Sequence, residues 1–177
     1  NNGVPTDLSS MSGLSGYWRM GDGTLDNFNL IADQTDASLG SEELTNGDFA
    51  TDSDWIKGTG YSINNNKAIA TNTPNSSLLY QSKTYSIGIY KLVANINITD
   101  GSLRFQIGGG FISETFTTSG EKVCYINVTS QQGYFGVATQ TDNSNFTIDN
   151  ISVKQVNGNA GLMTNMVAAD IEQNVPS

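Results

Sequence analysis

Flat aromatic rings and planar hydrogen-bonding groups are the side chains of this sequence best suited to recognising a ligand. Trp55, Tyr61, Tyr80, Tyr125 and Tyr134 supply ring faces, which suit the apolar side of a pyranose ring. Arg104 and Gln106 carry a planar guanidinium and a planar amide, which suit its hydroxyls. They stand two positions apart, so a strand would place both on one face. Arg104, Gln106, Tyr134 and Trp55 are therefore the candidates for carbohydrate binding. Trp55 and Tyr61 follow a turn-rich stretch and read more readily as core plugs than as ligand platforms, since buried aromatics dominate cores. Arg104 and Gln106 read equally as side chains that face water.

Other chemistries are excluded or lack an anchor. The chain has no histidine, which removes Ser-His-Asp and Cys-His catalysis and every histidine-containing metal site. Cys124 is the one cysteine, so neither an internal disulfide nor a four-cysteine zinc site can form. It lies in the apolar run Val123-Cys124-Tyr125-Ile126 and reads as a buried core thiol. Gly108-Gly109-Gly110 lacks the Lys and Ser/Thr of a phosphate loop and reads as a strand connection. Glu42, Glu43, Glu114, Glu121 and Glu172 lie in no recognisable acid/base pairing, so no enzyme is expected. Asp48 and Asp149 are candidates for a structural Ca²⁺, a cation that prefers carboxylate and carbonyl oxygens. A turn Asp accepting from local backbone N–H groups is the equal alternative, and both readings stay open.

Charge narrows the partners. Lys and Arg total 8, Asp and Glu total 17, and the net charge is −9. No basic stripe is present for phosphate contacts, which argues against nucleic acid. The acidic balance repels anionic membranes, and no apolar run approaches the roughly 20 residues of a membrane span. Charged residues make up 14% of the chain, against about 25% in ordinary soluble domains. Asn, Thr, Ser and Gly take their place, as in β-rich extracellular and virion proteins. Asn-x-Ser/Thr sequons occur at Asn75, Asn97, Asn127, Asn145 and Asn150; in so Asn- and Thr-rich a chain they carry no weight.

The elements that must position the candidates are strands. At 177 residues the chain suits one domain, or one domain plus an appendage. Tyr90, Leu92, Ala94, Ile96 and Ile98 alternate with Lys91, Val93, Asn95 and Asn97, the period-two signature of a half-buried strand. Asp100-Gly101 is a hairpin turn signal. Leu103, Phe105 and Ile107 then face opposite to Arg104 and Gln106. Further strands are predicted over residues 78–85, 111–118, 121–129, 134–140 and 146–153, with turn signals between them. Phe146 and Ile148 are even-numbered but Ile151 and Val153 odd, so a β-bulge is expected at Asp149-Asn150. About eight short strands at this spacing predict an all-β protein, an antiparallel β-sandwich of jelly-roll type. A short helix is expected within residues 163–172. Residues 1–13 read as a linker.

Three separated blocks carry a family resemblance. Leu44-Thr45-Asn46-Gly47-Asp48-Phe49, with Asp54-Trp55-Ile56-Lys57-Gly58-Thr59-Gly60-Tyr61, resembles the start of a carbohydrate-binding module of the family 4/9 type. Arg104-Phe105-Gln106-Ile107-Gly108-Gly109-Gly110 resembles the middle of versions found in phage structural proteins, and Phe146-Thr147-Ile148-Asp149-Asn150-Ile151-Ser152-Val153-Lys154 resembles the last strand. The resemblance implies a galactose-binding-like jelly roll over residues 41–156, glycan binding on a sheet face or loop edge, and a structural Ca²⁺ with Asp149 among its ligands. The flanks resemble another family. Gly16-Tyr17-Trp18-Arg19-Met20-Gly21-Asp22-Gly23 is similar to the opening of concanavalin A-like, laminin-G-like modules of phage virion proteins, and Gly161-Leu162-Met163-Thr164-Asn165-Met166 to the stretch that follows it. The sandwich is thus expected to be inserted into an outer attachment motif formed by residues 14–40 and 157–177.

These expectations add up to a non-catalytic protein of the virion surface or extracellular space, a phage head decoration or tail-fibre component. Its expected partners are a glycan, other virion proteins and further copies of itself, without nucleic acid or membrane. The alternatives are a purely structural decoration protein without ligand, and a binding module of a secreted bacterial glycan-degrading protein.

Overall fold

The computed structural model describes residue 8 and residues 11–17, 30–32 and 38–162. The helix expected over residues 163–172 lies outside the described residues, as do residues 18–23 of the flanking motif. Among the described residues the regular structure is all strand: β1 (Leu30–Ile31), β2 (Leu39–Glu42), β3 (Ile56–Lys57), β4 (Tyr61–Asn64), β5 (Lys67–Thr73), β6 (Leu78–Tyr85), β7 (Gly88–Asp100), β8 (Leu103–Ile107), β9 (Phe111–Ile112), β10 (Gly120–Val128), β11 (Gln132–Thr139), β12 (Ser144–Val156) and β13 (Gly161–Leu162). Two compact units result: Asn1–Gly40 with Gln155–Ser177, and Ser41–Lys154. Within the smaller unit, β1 pairs antiparallel with β13, Leu30 opposite Leu162 and Ile31 opposite Gly161.

The larger unit is an antiparallel β-sandwich. One sheet has the order β10-β7-β12-β5-β4, with β2 also paired to β12; the other runs β3-β6-β11-β8-β9. From β6 to β8 the chain changes sheet at each step, and it does so again from β10 to β12. Consecutive strands therefore face one another across the core, and each must bury one side.

That demand explains the alternation. On β7, Tyr90, Leu92, Ala94 and Ile96 are buried, while Asn95 and Asn97 are exposed. Leu103, Phe105 and Ile107 on β8 are fully buried and meet Leu79, Phe135 and Val137 of their own sheet, together with Leu92, Ile126, Ile148 and Val153 of the facing one, in a single apolar cluster. Each such side chain contributes about 1.5–3 kcal/mol of burial. The Asp100-Gly101 hairpin forms as its residues require. Gly101 has φ +80°, and a Cβ there would lie 2.8 Å from Thr141 Oγ1 and Ser144 Cβ.

β12 shows the expected change of phase. Ser144, Phe146 and Ile148 are buried, Asp149 and Asn150 both face outward, and burial resumes at Ile151 and Val153. Asn150 takes φ +49°, the left-handed conformation that Asn tolerates better than most residues. The Ile151 N–H donates to the Gly47 carbonyl at 2.9 Å, so the bulge docks the opening turn of the sandwich against its last strand.

Candidate functional site

The outward face of the five-stranded sheet gathers the candidate residues. Ile56 is opposite Tyr80, Tyr80 opposite Gly136, Gly136 opposite Gln106, and Gln106 opposite Ile112. These five form one row across five strands, about 19 Å from end to end at the usual strand spacing. Their chain neighbours Leu79, Phe135, Val137, Phe105 and Ile107 are fully buried in the core, so period-two geometry turns the row away from it. Leu78, Ala138 and Arg104 form the row on one side, and Ser82 and Tyr134 stand on the other. At the ends of the central row, Ile56 and Ile112 are 48% and 46% exposed. Gly136 leaves its middle low, where a Cβ would lie 2.7 Å from Leu78 Cδ1.

Two contacts fix the polar and aromatic groups of this face. Gln106 is 7% exposed, and its Nε2 donates a 2.8 Å hydrogen bond to Tyr134 Oη. The Tyr134 ring meets Tyr80 edge-on, with centroids 5.7 Å apart and planes at 67°. Both rings are half-buried. Arg104 is half-buried on the same side of β8; its Nε is buried and has no hydrogen-bond partner among the described residues.

Beside this face opens a cleft of about 390 Å³, lined by Ile56, Leu78 and Tyr80 together with the Pro74, Asn75 and Ser76 turn. The turn is held from below. Asn75 N donates to Asp142 Oδ1 at 2.8 Å, Ser76 N to the Thr139 carbonyl at 3.0 Å, and Thr139 Oγ1 to the Pro74 carbonyl at 2.6 Å. Ser76 takes φ +65°, a conformation unusual for serine that the surrounding bonds impose. The wall of the cleft is thus set before any ligand arrives, which lowers the ordering cost of binding.

The structure brings Arg104, Gln106 and Tyr134 onto one face and removes Trp55 from it. Trp55 is 5% exposed. It packs on Phe49 at 5.2 Å and Phe135 at 6.4 Å between ring centroids, and its Nε1 donates to the Asn46 carbonyl at 3.0 Å. An indole that buries its ring and finds an acceptor for its N–H is a core plug, so Trp55 offers no face to a sugar. Tyr61 is buried too, its hydroxyl donating to the Val137 carbonyl at 3.3 Å. Tyr80, one of the five aromatic candidates, replaces Trp55 as the second ring of the site. Ile56, Ile112 and Gly136 were not legible as site residues, although a glycine between Phe135 and Val137 is the sequence sign of a close backbone approach.

The two metal candidates have other described partners. Asp48 Oδ1 accepts from Ala50 N at 3.3 Å, the local role of a turn Asp. Asp149 Oδ2 lies 4.0 Å from Lys67 Nζ. No group of three or more Asp, Glu, Cys or His side chains assembles among the described residues. Since Ca²⁺ takes six to eight oxygens, the carboxylates described do not by themselves fit that ion. Cys124 packs against the core; burial, helped by the charge of Glu114, pushes its pKa up to about 12.

No family model matches the chain, and no curated protein does. Among solved structures it is similar to family 29 carbohydrate-binding modules. A point variant of one such module aligns with a TM-score of 0.46 and 10% identity, over 64% of this chain and 89% of that chain. Another variant, complexed with cellulohexaose, aligns with a TM-score of 0.44 and 11% identity, over 72% and 93%. A family 29 module from Piromyces equi aligns with a TM-score of 0.43 and 12% identity, over 68% and 90%.

Proposed function

We propose that the Ser41–Lys154 sandwich is a non-catalytic glycan-binding module whose ligand lies across the outward face of the five-stranded sheet and into the adjoining cleft. The observation that carries this reading is the Tyr80–Tyr134–Gln106 arrangement. Two half-buried rings stand beside a hydrogen-bonded amide, next to a cleft with a fixed wall. The rings supply apolar faces for sugar C–H groups, and Gln106 and Arg104 supply planar donors for oxygens. Neither the central row nor the cleft lining includes an Asp or Glu, so the site holds no pair of carboxylates for hydrolysis.

The proposal extends to the setting. The sandwich is carried on the outside of a virion, and the residues flanking it attach it to other virion proteins or to further copies of the chain. What supports this is the likeness of residues 16–23 and 161–166 to phage virion modules, together with the pairing of β1 with β13, which joins segments from either side of the sandwich.

A glycan array read with the full chain tests the binding reading. We expect a saturable signal that falls at least tenfold when Tyr80→Ala and Tyr134→Ala are combined, with the melting transition retained. Absence of binding to every glycan would leave a decoration protein without a ligand and overturn the proposal.

A further inference from the structure

The proposed glycan face contains one group that its own protein surroundings do not satisfy. Arg104 Nε is buried and without a hydrogen-bond partner among the described residues. Three of the six described lysines, 57, 67 and 83, have a carboxylate partner, in Asp52, Asp149 and Glu43; no ion pair of Arg104 occurs among the described residues. On the β11 side its neighbour across the ladder is Ala138, which is 5% exposed and brings no polar side chain. A guanidinium nitrogen withdrawn from water and left unmatched is costly. In a chain of net charge −9 carboxylates are plentiful, yet none forms an ion pair with Arg104 among the described residues.

Resting on the glycan reading above, we propose that the half-buried Arg104 side chain turns outward on binding, so that the ligand itself supplies the missing acceptor: Arg104 receives the carboxylate of an acidic sugar, a uronic or ulosonic acid. The guanidinium fork is planar and matches a carboxylate with two parallel N–H···O bonds. The charge of the whole protein restricts the ligand further. A densely charged polyanion is repelled by a surface of net charge −9, so the acid is an isolated unit in an otherwise neutral glycan. Tyr134, in the row beyond Gln106 from Arg104, and Tyr80, two strands along the row of Gln106, take the neutral sugars that follow.

Matched glycan pairs test this with the full chain: sialyllactose against lactose, and a glucuronic-acid-branched xylo-oligosaccharide against its unbranched parent, on an array that carries both kinds widely. We expect the acidic member of at least one pair to bind roughly tenfold to hundredfold tighter, the worth of one charge-assisted pair. Arg104→Gln should abolish that preference, because it costs the acidic member more affinity than the neutral one. Arg104→Lys should restore only part of it, because an ammonium lacks the fork. The ligand-side comparison needs no variant, so a misfolded substitution does not spoil it. Equal binding of acidic and neutral glycans overturns this inference and leaves the glycan reading standing. A preference that survives Arg104→Gln overturns the assignment to Arg104. Silence across the whole array overturns the glycan reading, and this inference with it.

Discussion

Gln106 Nε2 donates to Tyr134 Oη at 2.8 Å, joining β8 to β11 on the outward side of their sheet. Gln106 is almost fully buried, so the bond does two things: it satisfies a desolvated amide, and it holds the Tyr134 ring edge-on to Tyr80.

Removing one partner should therefore cost more than removing both. Tyr134→Phe leaves the Gln106 amide without its acceptor, and urea unfolding should show a loss of about 1–3 kcal/mol. Combining Tyr134→Phe with Gln106→Leu should recover most of that loss, because an apolar pair of similar shape has no unmet polar group. Equal or additive losses in the two variants would show that the bond is not formed in solution.

Trp55 separates a core role from a ligand role. Its ring is enclosed by Phe49 and Phe135, so Trp55→Ala should destabilise the sandwich by about 3–5 kcal/mol. Tyr80→Ala, at a half-exposed ring, should cost distinctly less while weakening glycan binding. Thermal melts of the two variants give the comparison. A Trp55→Ala protein that melts like the unaltered chain would return Trp55 to the surface.

The alternation on β7 and β8, the turn at Asp100-Gly101 and the bulge at Asp149-Asn150 were all legible in the sequence, because each is a local consequence of which neighbours must be buried. The site was only half legible. Arg104 and Gln106 share a face by strand geometry alone, and that much could be read directly. Their alignment with Tyr80, Ile56 and Ile112 depends on strand register between paired residues up to 56 positions apart, as Tyr80 is from Gly136, which no local pattern specifies. Trp55 and Tyr80 are both aromatic residues close to turn signals; what separates them is that Phe49 and Phe135 close over one and not the other. The pairing of β1 with β13 likewise depends on register that short segments do not encode.

Alkaline pH should weaken the fold. Burial raises the Cys124 pKa from 9.0 to about 12, and burial is also the first cause holding the hydroxyls of Tyr61 and Tyr85 above their ordinary 10.0. Between the unfolded and folded values the folded chain keeps protons that the unfolded chain has released. Stability from these groups is therefore complete below about pH 9 and falls as pH rises through the window above it. Melting temperature measured from pH 8 to 11 should decline across that range, and the native thiol should resist alkylation at pH 8 until denaturant is added. Rapid native alkylation would contradict the packing of the partly buried Cys124 against the core.

Chelation tests the calcium expectation. With Asp48 bonded to Ala50 N and Asp149 beside Lys67, EDTA should leave the melting temperature unchanged. A fall of several degrees, reversed by added Ca²⁺, would show that backbone carbonyls complete a site around these carboxylates.

Amide chemical-shift mapping during titration with a glycan found on the array tests the central claim most directly. Binding across the outward face predicts shifts clustered at Tyr80, Gln106, Tyr134 and Gly136, extending to Asn75 and Ser76 at the cleft. Shifts confined to the six-stranded sheet, with those residues unmoved at saturation, would contradict it.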